Sequence, residues 1–256
     1  MPTDGEISQL VLQPGSDPGC NNSLDVATWG SGPVGIVFAH EGLGSIGQWR
    51  DVPAATAAAA GCRVLAYNRA GHGSSTPVPT GPWPADWMHR EAEVLAALIE
   101  AVADGPVRLV GHSDGGSIAL LCAADRPDLV TDVVSLAAHS WVEAKCDDAI
   151  RALRADPGGL VAALGRYHAH PAATFEAWSG GWVGDEFQRW DIRARLAAVE
   201  APTVVVQGDR DDYATEAALH ATVAAIGANA RGLIVPDCGH AIHRDHPQLV
   251  VDLAAA

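Results

Sequence analysis

The chain has 256 residues, of which 48% are hydrophobic and 18% charged; that is enough apolar side chain for a sizeable core and excludes a disordered or fibrous protein. Sixteen basic against 31 acidic side chains leave a formal charge of −15, which argues against a basic surface that holds nucleic acid or an anionic membrane. The five cysteines, Cys20, Cys62, Cys122, Cys146 and Cys238, are odd in number and never spaced CxxC, so neither a disulfide framework nor a zinc–thiolate site is expected.

Along the chain, Ile7–Leu12 and Leu24–Thr28 read as short strands separated by a Pro/Gly/Asp/Asn turn region. Val34–Ala39 is a continuous apolar run rich in β-branched residues, as in a strand buried on both faces. Trp49–Ala60 reads as a helix stopped by Gly61, and Arg63–Tyr67 as the next strand. A Gly/Ser/Pro-rich loop runs from Asn68 to Pro84. The helix over Ala85–Ala103 is the clearest element, with Trp87, Val94, Leu95, Leu98, Ile99 and Val102 on one face. Val107–Val110 reads as a strand, Asp114–Ala124 as a helix and Val133–Leu136 as a strand. From His139 to Val199 no strand pattern occurs, although this stretch holds Trp141, Trp178, Trp182 and Trp190. The alternation resumes with the strand Thr203–Gln207, a helix over Thr215–Ala225, the strand Leu233–Pro236 and a last helix over Pro247–Ala255. Alternating strands and helices predict a mostly parallel sheet covered on both faces, with ligands at the carboxyl ends of the strands. The interruption predicts a helical cap, residues 139–199, inserted into a discontinuous core domain of residues 1–138 and 200–256.

The sharpest chemical signal is Gly111-His112-Ser113-Asp114-Gly115, a G-x-S-x-G that follows a strand directly and opens a helix. That context defines a nucleophile elbow: a strained turn lifts Ser113 above the sheet edge, and the flanking glycines avoid clashes. A serine hydroxyl needs a base. Of eleven histidines, His240 in Asp237-Cys238-Gly239-His240 is best placed, just past the last strand. His243 and His246, further on, are expected to face solvent or cap the terminal helix. The base needs an orienting acid. Gln207-Gly208-Asp209-Arg210-Asp211-Asp212 follows the preceding strand, and Asp211 is favoured over Asp209 and Asp212. The order is then Ser113, Asp211, His240. A metal site built on His240, His243 and Asp245 matches no common ligand spacing, so no metal is expected.

With these motifs the sequence resembles the α/β-hydrolase superfamily, in its esterase- and lactonase-like branch with a helical cap, over nearly the whole chain. His40-Glu41-Gly42-Leu43-Gly44-Ser45 is similar to the family's His-Gly oxyanion loop, and Asn68-Arg69-Ala70-Gly71-His72-Gly73-Ser74-Ser75 to its D-x-R-G-x-G-x-S loop. Gly208-x-x-Asp211 and Gly239-His240 match its acid and base motifs. Glu41 stands where the family has glycine, and Asn68 where it has aspartate. The resemblance implies two oxyanion donors, the backbone N–H groups of Gly42 and Asp114. The HEGLGS loop with Trp49-Arg50-Asp51, together with the tryptophan-rich insert, also resembles a group of bacterial hydrolases without a defined substrate.

In the insert, His139, Trp141, Tyr167, His168, Trp178 and Trp182 are the candidates for contacting substrate, with Glu143 and Arg166 as further polar groups. The expected activity is hydrolysis of a small carboxylic ester, lactone or thioester through an acyl-enzyme. The same triad serves carbon–carbon bond hydrolysis, amide cleavage or perhydrolysis on this fold, and a non-catalytic small-molecule receptor is the reading of another class. No cofactor is called for, and the expected partner is a small acyl substrate rather than nucleic acid or membrane. Residues 1–10 lack the marks of a signal peptide, and no stretch reaches the roughly 18–20 apolar residues of a membrane span, so a cytoplasmic protein is expected.

Overall fold

A computed structural model describes residues 5–12, 22–77 and 81–256. Cys20 and most of the turn region between the first two strands lie outside the described residues, as do residues 78–80 of the Gly/Ser/Pro-rich loop.

Eight strands form one sheet: β1 (Glu6–Leu12), β2 (Asn22–Trp29), β3 (Val34–Ala39), β4 (Arg63–Tyr67), β5 (Val107–His112), β6 (Val130–Leu136), β7 (Thr203–Gly208) and β8 (Ala230–Val235). Their spatial order is β1-β2-β4-β3-β5-β6-β7-β8. β2 runs antiparallel to β1 and to β4, and the remaining neighbours are parallel. The central strands are largely apolar because both of their faces are covered. In β3, Val37 and Ala39 face one core layer while Ile36 and Phe38 face the other. β4 repeats this alternation, with Leu65 and Tyr67 against Val64 and Ala66.

Helices α1 (Val52–Ala60) and α10 (Pro247–Ala255) cover one face. Helices α2 (Trp87–Val102), α3 (Asp114–Asp125) and α8 (Glu216–Ile226) cover the other. Between β6 and β7 lie α4 (Ala144–Ala155), α5 (Leu160–Leu164), α6 (Pro171–Trp182) and α7 (Arg193–Leu196), where the sequence showed no strand pattern. α9 (Ile242–Asp245) precedes the terminal helix. No helix among the described residues is long and apolar enough to cross a membrane.

Several elements depart from expectation: β5 runs on to His112, β6 begins at Val130 instead of Val133, and the short α9 was not expected. The helix predicted over Trp49–Ala60 starts only at Val52, because a 3-10 turn, Ile46–Trp49, ends at its expected start and Arg50 takes a positive φ of 53° between the two. β8 begins at Ala230 instead of Leu233; Arg231 and Gly232 are exposed at the sheet edge and carry no apolar signal.

β4 and β5 flank β3, so the chain leaves β3 toward one side of the sheet and later returns on the other. That reversal opens a crevice at the carboxyl ends of β3 and β5. The loop starting at His40 and the turn at Ser113 both emerge there.

Candidate active site

Ser113 joins β5 to α3 with φ 53° and ψ −119°, a left-handed conformation that a non-glycine residue adopts at a cost. The turn is held by Ser113 N–H on Leu136 O (2.8 Å) and by Gly116 N–H on Ser113 O (2.9 Å). It also needs bare backbone on both sides. A Cβ at Gly111 would lie 2.2 Å from Gly115 O, and one at Gly115 would lie 2.1 Å from Ala39 O.

His240 Nδ1 lies 2.8 Å from Asp211 Oδ2. Asp211 is buried, and its Oδ1 takes the backbone N–H groups of Tyr213 (2.7 Å) and Ala214 (3.1 Å). The Gln207 side-chain amide donates to Oδ2. Burial opposes ionisation of Asp211, but His240 and the two N–H groups outweigh it and hold the carboxyl down at about 2. Burial likewise works against the His240 imidazolium, yet Asp211 overcomes it and the pKa is raised. Of the three aspartates in this loop, Asp211 is the one that reaches His240. Asp209 turns outward and accepts from Cys238 N–H (3.1 Å), and Asp212 is exposed. Lys145, the chain's sole lysine, ties α4 to the same loop by donating to Asp211 O (2.6 Å).

The His40–Ser45 loop is pinned from behind through its carbonyls. Glu41 O accepts from His40 Nδ1 (2.7 Å) and Arg69 Nη2 (2.8 Å), Gly42 O faces His72 Nε2 (2.8 Å), and Leu43 O accepts from His168 Nε2 (3.1 Å). Asn68 uses both ends of its amide here, taking Ile46 N–H (2.8 Å) and donating to Asp25 Oδ2 (2.9 Å). An aspartate at position 68 would set two carboxylates against each other. Asp25, which the sequence did not single out, is therefore the partner of the departure at Asn68.

These loops open on one cavity of about 440 Å³. Glu41, Gly42, Ser113, Asp114 and His240 lie at its polar end, and Ile150, Leu153, Leu160 and Leu164 of the insert line its apolar walls. Asp114 is buried against Arg69 (Nη2–Oδ2 3.8 Å) and takes the Trp178 indole N–H (3.1 Å). Burial pushes its carboxyl up to about 6, against the pull of Arg69.

Of the substrate-contact candidates, His139, Tyr167, Trp178 and Trp182 line the cavity. Two do not. Trp141 pairs with Asp191 in an isolated β-bridge and is covered by the Arg193 guanidinium at 4.4 Å, which takes it away from the cavity. His168 is spent on the backbone, accepting from Gly73 N–H (3.0 Å) while its other nitrogen holds Leu43 O, so it positions a loop. Glu143 is likewise occupied, by Thr215 Oγ1 (2.6 Å). His243 does not face solvent. It is buried between Trp49 and His112, and burial takes its pKa down to about 2. Tyr213 is a lining residue that sequence reasoning missed; its ring lies 4.8 Å from that of His240. Its place two residues after Asp211 was the available signal.

Residues 36–253 match the model of the alpha/beta hydrolase family. The chain belongs to this family. Among curated relatives of this chain, Lipase LipV of Mycobacterium tuberculosis is 30% identical over 180 residues, which are 70% of this chain and 61% of the lipase. The chain thus spans less than two thirds of that relative's length. An esterase of the same organism is 24% identical over 271 aligned positions, covering 90% of this chain and 85% of the esterase. A thermophilic esterase from Thermogutta terrifontis, solved with malate bound, superposes with a TM-score of 0.72 at 20% identity over 96% of both chains. That likeness is one of fold.

Proposed function

We propose that this hydrolase cleaves a small carboxylic ester, lactone or thioester, with Ser113 as nucleophile, His240 as base and Asp211 as the acid that orients it. One observation carries the reading. Ser113 sits on a strained strand–helix turn and opens into the same cavity as a histidine whose far nitrogen is held by a buried carboxylate. The lipase and esterase names of the relatives support ester chemistry, and the modest apolar cavity suits a small acyl group.

In this mechanism Ser113 Oγ attacks the substrate carbonyl as His240 Nε2 takes the hydroxyl proton. The tetrahedral oxyanion collapses, and the departing alcohol or thiol receives that proton from His240. Water, deprotonated by His240, then attacks the acyl carbon and releases the acid with Ser113 restored. The oxyanion is assigned to the backbone N–H groups of Gly42 and Asp114. A trans peptide sets its C=O and N–H on opposite sides. With Glu41 O pulled back by Arg69 and His40, the Gly42 N–H points away from them, and no acceptor among the described residues takes it. Asp114 is the first residue of α3, and the first N–H groups of a helix lack intrahelical acceptors. Each such donor is worth about 3–4 kcal/mol of transition-state stabilisation. Residues 139–199 act as a cap that supplies the walls Tyr167, Trp178 and Trp182.

The test is a hydrolysis panel of aryl esters, short alkyl esters, lactones and acyl-CoA thioesters, run beside fluorophosphonate labelling. Wild type should label at Ser113, and Ser113→Ala should neither label nor turn over, with a rate loss of roughly 10⁴-fold or more. Ser113→Ala activity within tenfold of wild type would sink the assignment, and an unlabelled, inactive wild type would favour a binding module.

A further inference from the structure

Glu41 stands where related loops carry glycine, and its carboxylate is not idle. Its Oε2 lies 3.4 Å from His112 Nδ1, and Gly44 leaves the room for it, since a Cβ there would meet Glu41 Cγ at 2.7 Å. His112 is buried, and its Nε2 lies 2.8 Å from the carbonyl oxygen of His240. A carbonyl only accepts, so Nε2 carries a proton, and in its neutral form the ring presents a lone pair at Nδ1. In that form the lone pair faces the Glu41 carboxylate, two acceptors that a cation would bridge. His240 is arranged the same way. Its Nδ1–H is tied to Asp211, which leaves Nε2 as the nitrogen free to bind.

We infer that Glu41, His112 and His240 form a binding site for a divalent transition-metal ion of the zinc type, and that the ion, when bound, switches the hydrolase off. Ligand atoms of these three residues all lie within 4.8 Å of one another. The 3.4 Å between Glu41 Oε2 and His112 Nδ1 is close to the roughly 3.3 Å that separates two ligands of a tetrahedral ion with bonds near 2.0–2.1 Å. Two histidines and a carboxylate are a donor set that zinc accepts, with the fourth position open to water from the cavity. Metal-binding histidines characteristically give their far N–H to a carboxylate or a backbone carbonyl. Both arrangements are present before any ion arrives: Asp211 behind His240, and His240 O behind His112. The carboxylates of Glu41 and Asp211 together balance a double positive charge.

The inhibition, though not the binding, rests on reading His240 as the base. A nitrogen whose lone pair is committed to a metal cannot take the Ser113 proton, so turnover stops until the ion leaves.

Binding is therefore measured apart from activity. Zinc chloride is titrated calorimetrically into Ser113→Ala, and cobalt(II) into the same protein is followed by visible absorption. One ion per chain with the intense bands of four-coordinate cobalt is expected. Glu41→Gln and Glu41→Gly should each weaken zinc binding at least about tenfold, since loss of a ligand costs no less than loss of an outer partner. With an ester that wild type hydrolyses, zinc should inhibit, chelator should restore the rate, and the zinc concentration for half inhibition should rise at least about tenfold in both Glu41 variants. Zinc binding that both variants retain within tenfold, absence of the cobalt bands, or stimulation by zinc would overturn the site. Failure of the whole ester panel with binding and its Glu41 dependence intact would fault the hydrolase reading instead.

Discussion

Asp211 is gripped at both oxygens, and that grip decides what the residue can do. Two backbone N–H groups hold Oδ1, so Oδ2 is fixed toward His240 Nδ1. In the proposed mechanism an aspartate held this way sets the imidazole tautomer and stabilises the imidazolium that would form during attack. An asparagine keeps the shape but offers N–H where His240 also offers N–H, which drives the ring toward the wrong tautomer. Asp211→Asn should therefore cost about 10⁴-fold in kcat, the scale expected when only the tautomer is spoiled. Asp209→Asn, whose side chain caps Cys238 N–H at the surface, should stay within about tenfold. The pH profile gives a second check. His240 is raised above its ordinary value mainly because Asp211 outweighs burial. In wild type kcat/KM should fall as pH drops through that raised value, because the protonated ring is no base. In Asp211→Asn the residual activity should show the same fall at lower pH. Equal losses in the two asparagine variants, or an unmoved acid limb, would remove Asp211 from its role.

The strand–turn–helix unit around Ser113 works because backbone packs on backbone. A Cβ at Gly115 would meet Ala39 O at 2.1 Å and His40 O at 2.6 Å, atoms that cannot swing aside. Gly115→Ala should lose about 3 kcal/mol of stability or more in urea unfolding, at the upper end of overpacking costs. Gly105→Ala, exposed and with nothing within 4 Å, should stay within about 0.5 kcal/mol. A Gly115→Ala midpoint equal to that of wild type would contradict the close approach. This unit was legible in the sequence for the same reason that it is fragile: spacing, strand and helix all constrain the same five residues. β3 was legible too, because it is covered on both faces and so reads as an unbroken apolar run. β8 lost its first three residues to the sheet edge, where Arg231 and Gly232 give no periodicity. The insert was legible only as an interruption. Trp178 lies on α6, which is buried almost all round and so carries no polar stripe, and Trp141 lies outside any helix, so the two look alike in sequence although Asp191 and Arg193 hold one and Asp114 the other. His243 was misread because a helix of four residues carries no face to read.

Across the whole molecule, the formal charge of −15 lies over a core that also contains ionisable groups. Arg69 is fully buried, with its guanidinium 5.5 Å over the Trp83 ring and 5.6 Å over that of Trp87. Asp114 and Glu91 share its neighbourhood, and burial pushes each of their carboxyls up to about 6 despite its charge. The sign follows from linkage. Between the ordinary aspartate value of 3.8 and about 6, native Asp114 keeps a proton that the unfolded chain has released. Its contribution to stability is whole below pH 3.8, declines as pH rises to about 6, and is flat beyond. A rise of about two pKa units corresponds to about 3 kcal/mol. Asp211, held down at about 2, works in the opposite sense, and its contribution is lost only as pH falls from 3.8 toward that value. The two effects therefore occupy separate windows and can be measured separately. Asp114→Asn keeps an oxygen for the Trp178 indole N–H but cannot ionise. Urea unfolding of wild type and Asp114→Asn across pH 4 to 8 should show the wild type losing ground by up to about 3 kcal/mol between pH 4 and 6.5 and no further above pH 7. A difference that stays constant from pH 4 to 8 would mean that the carboxyl beside Ser113 ionises as freely in the native core as in the unfolded chain.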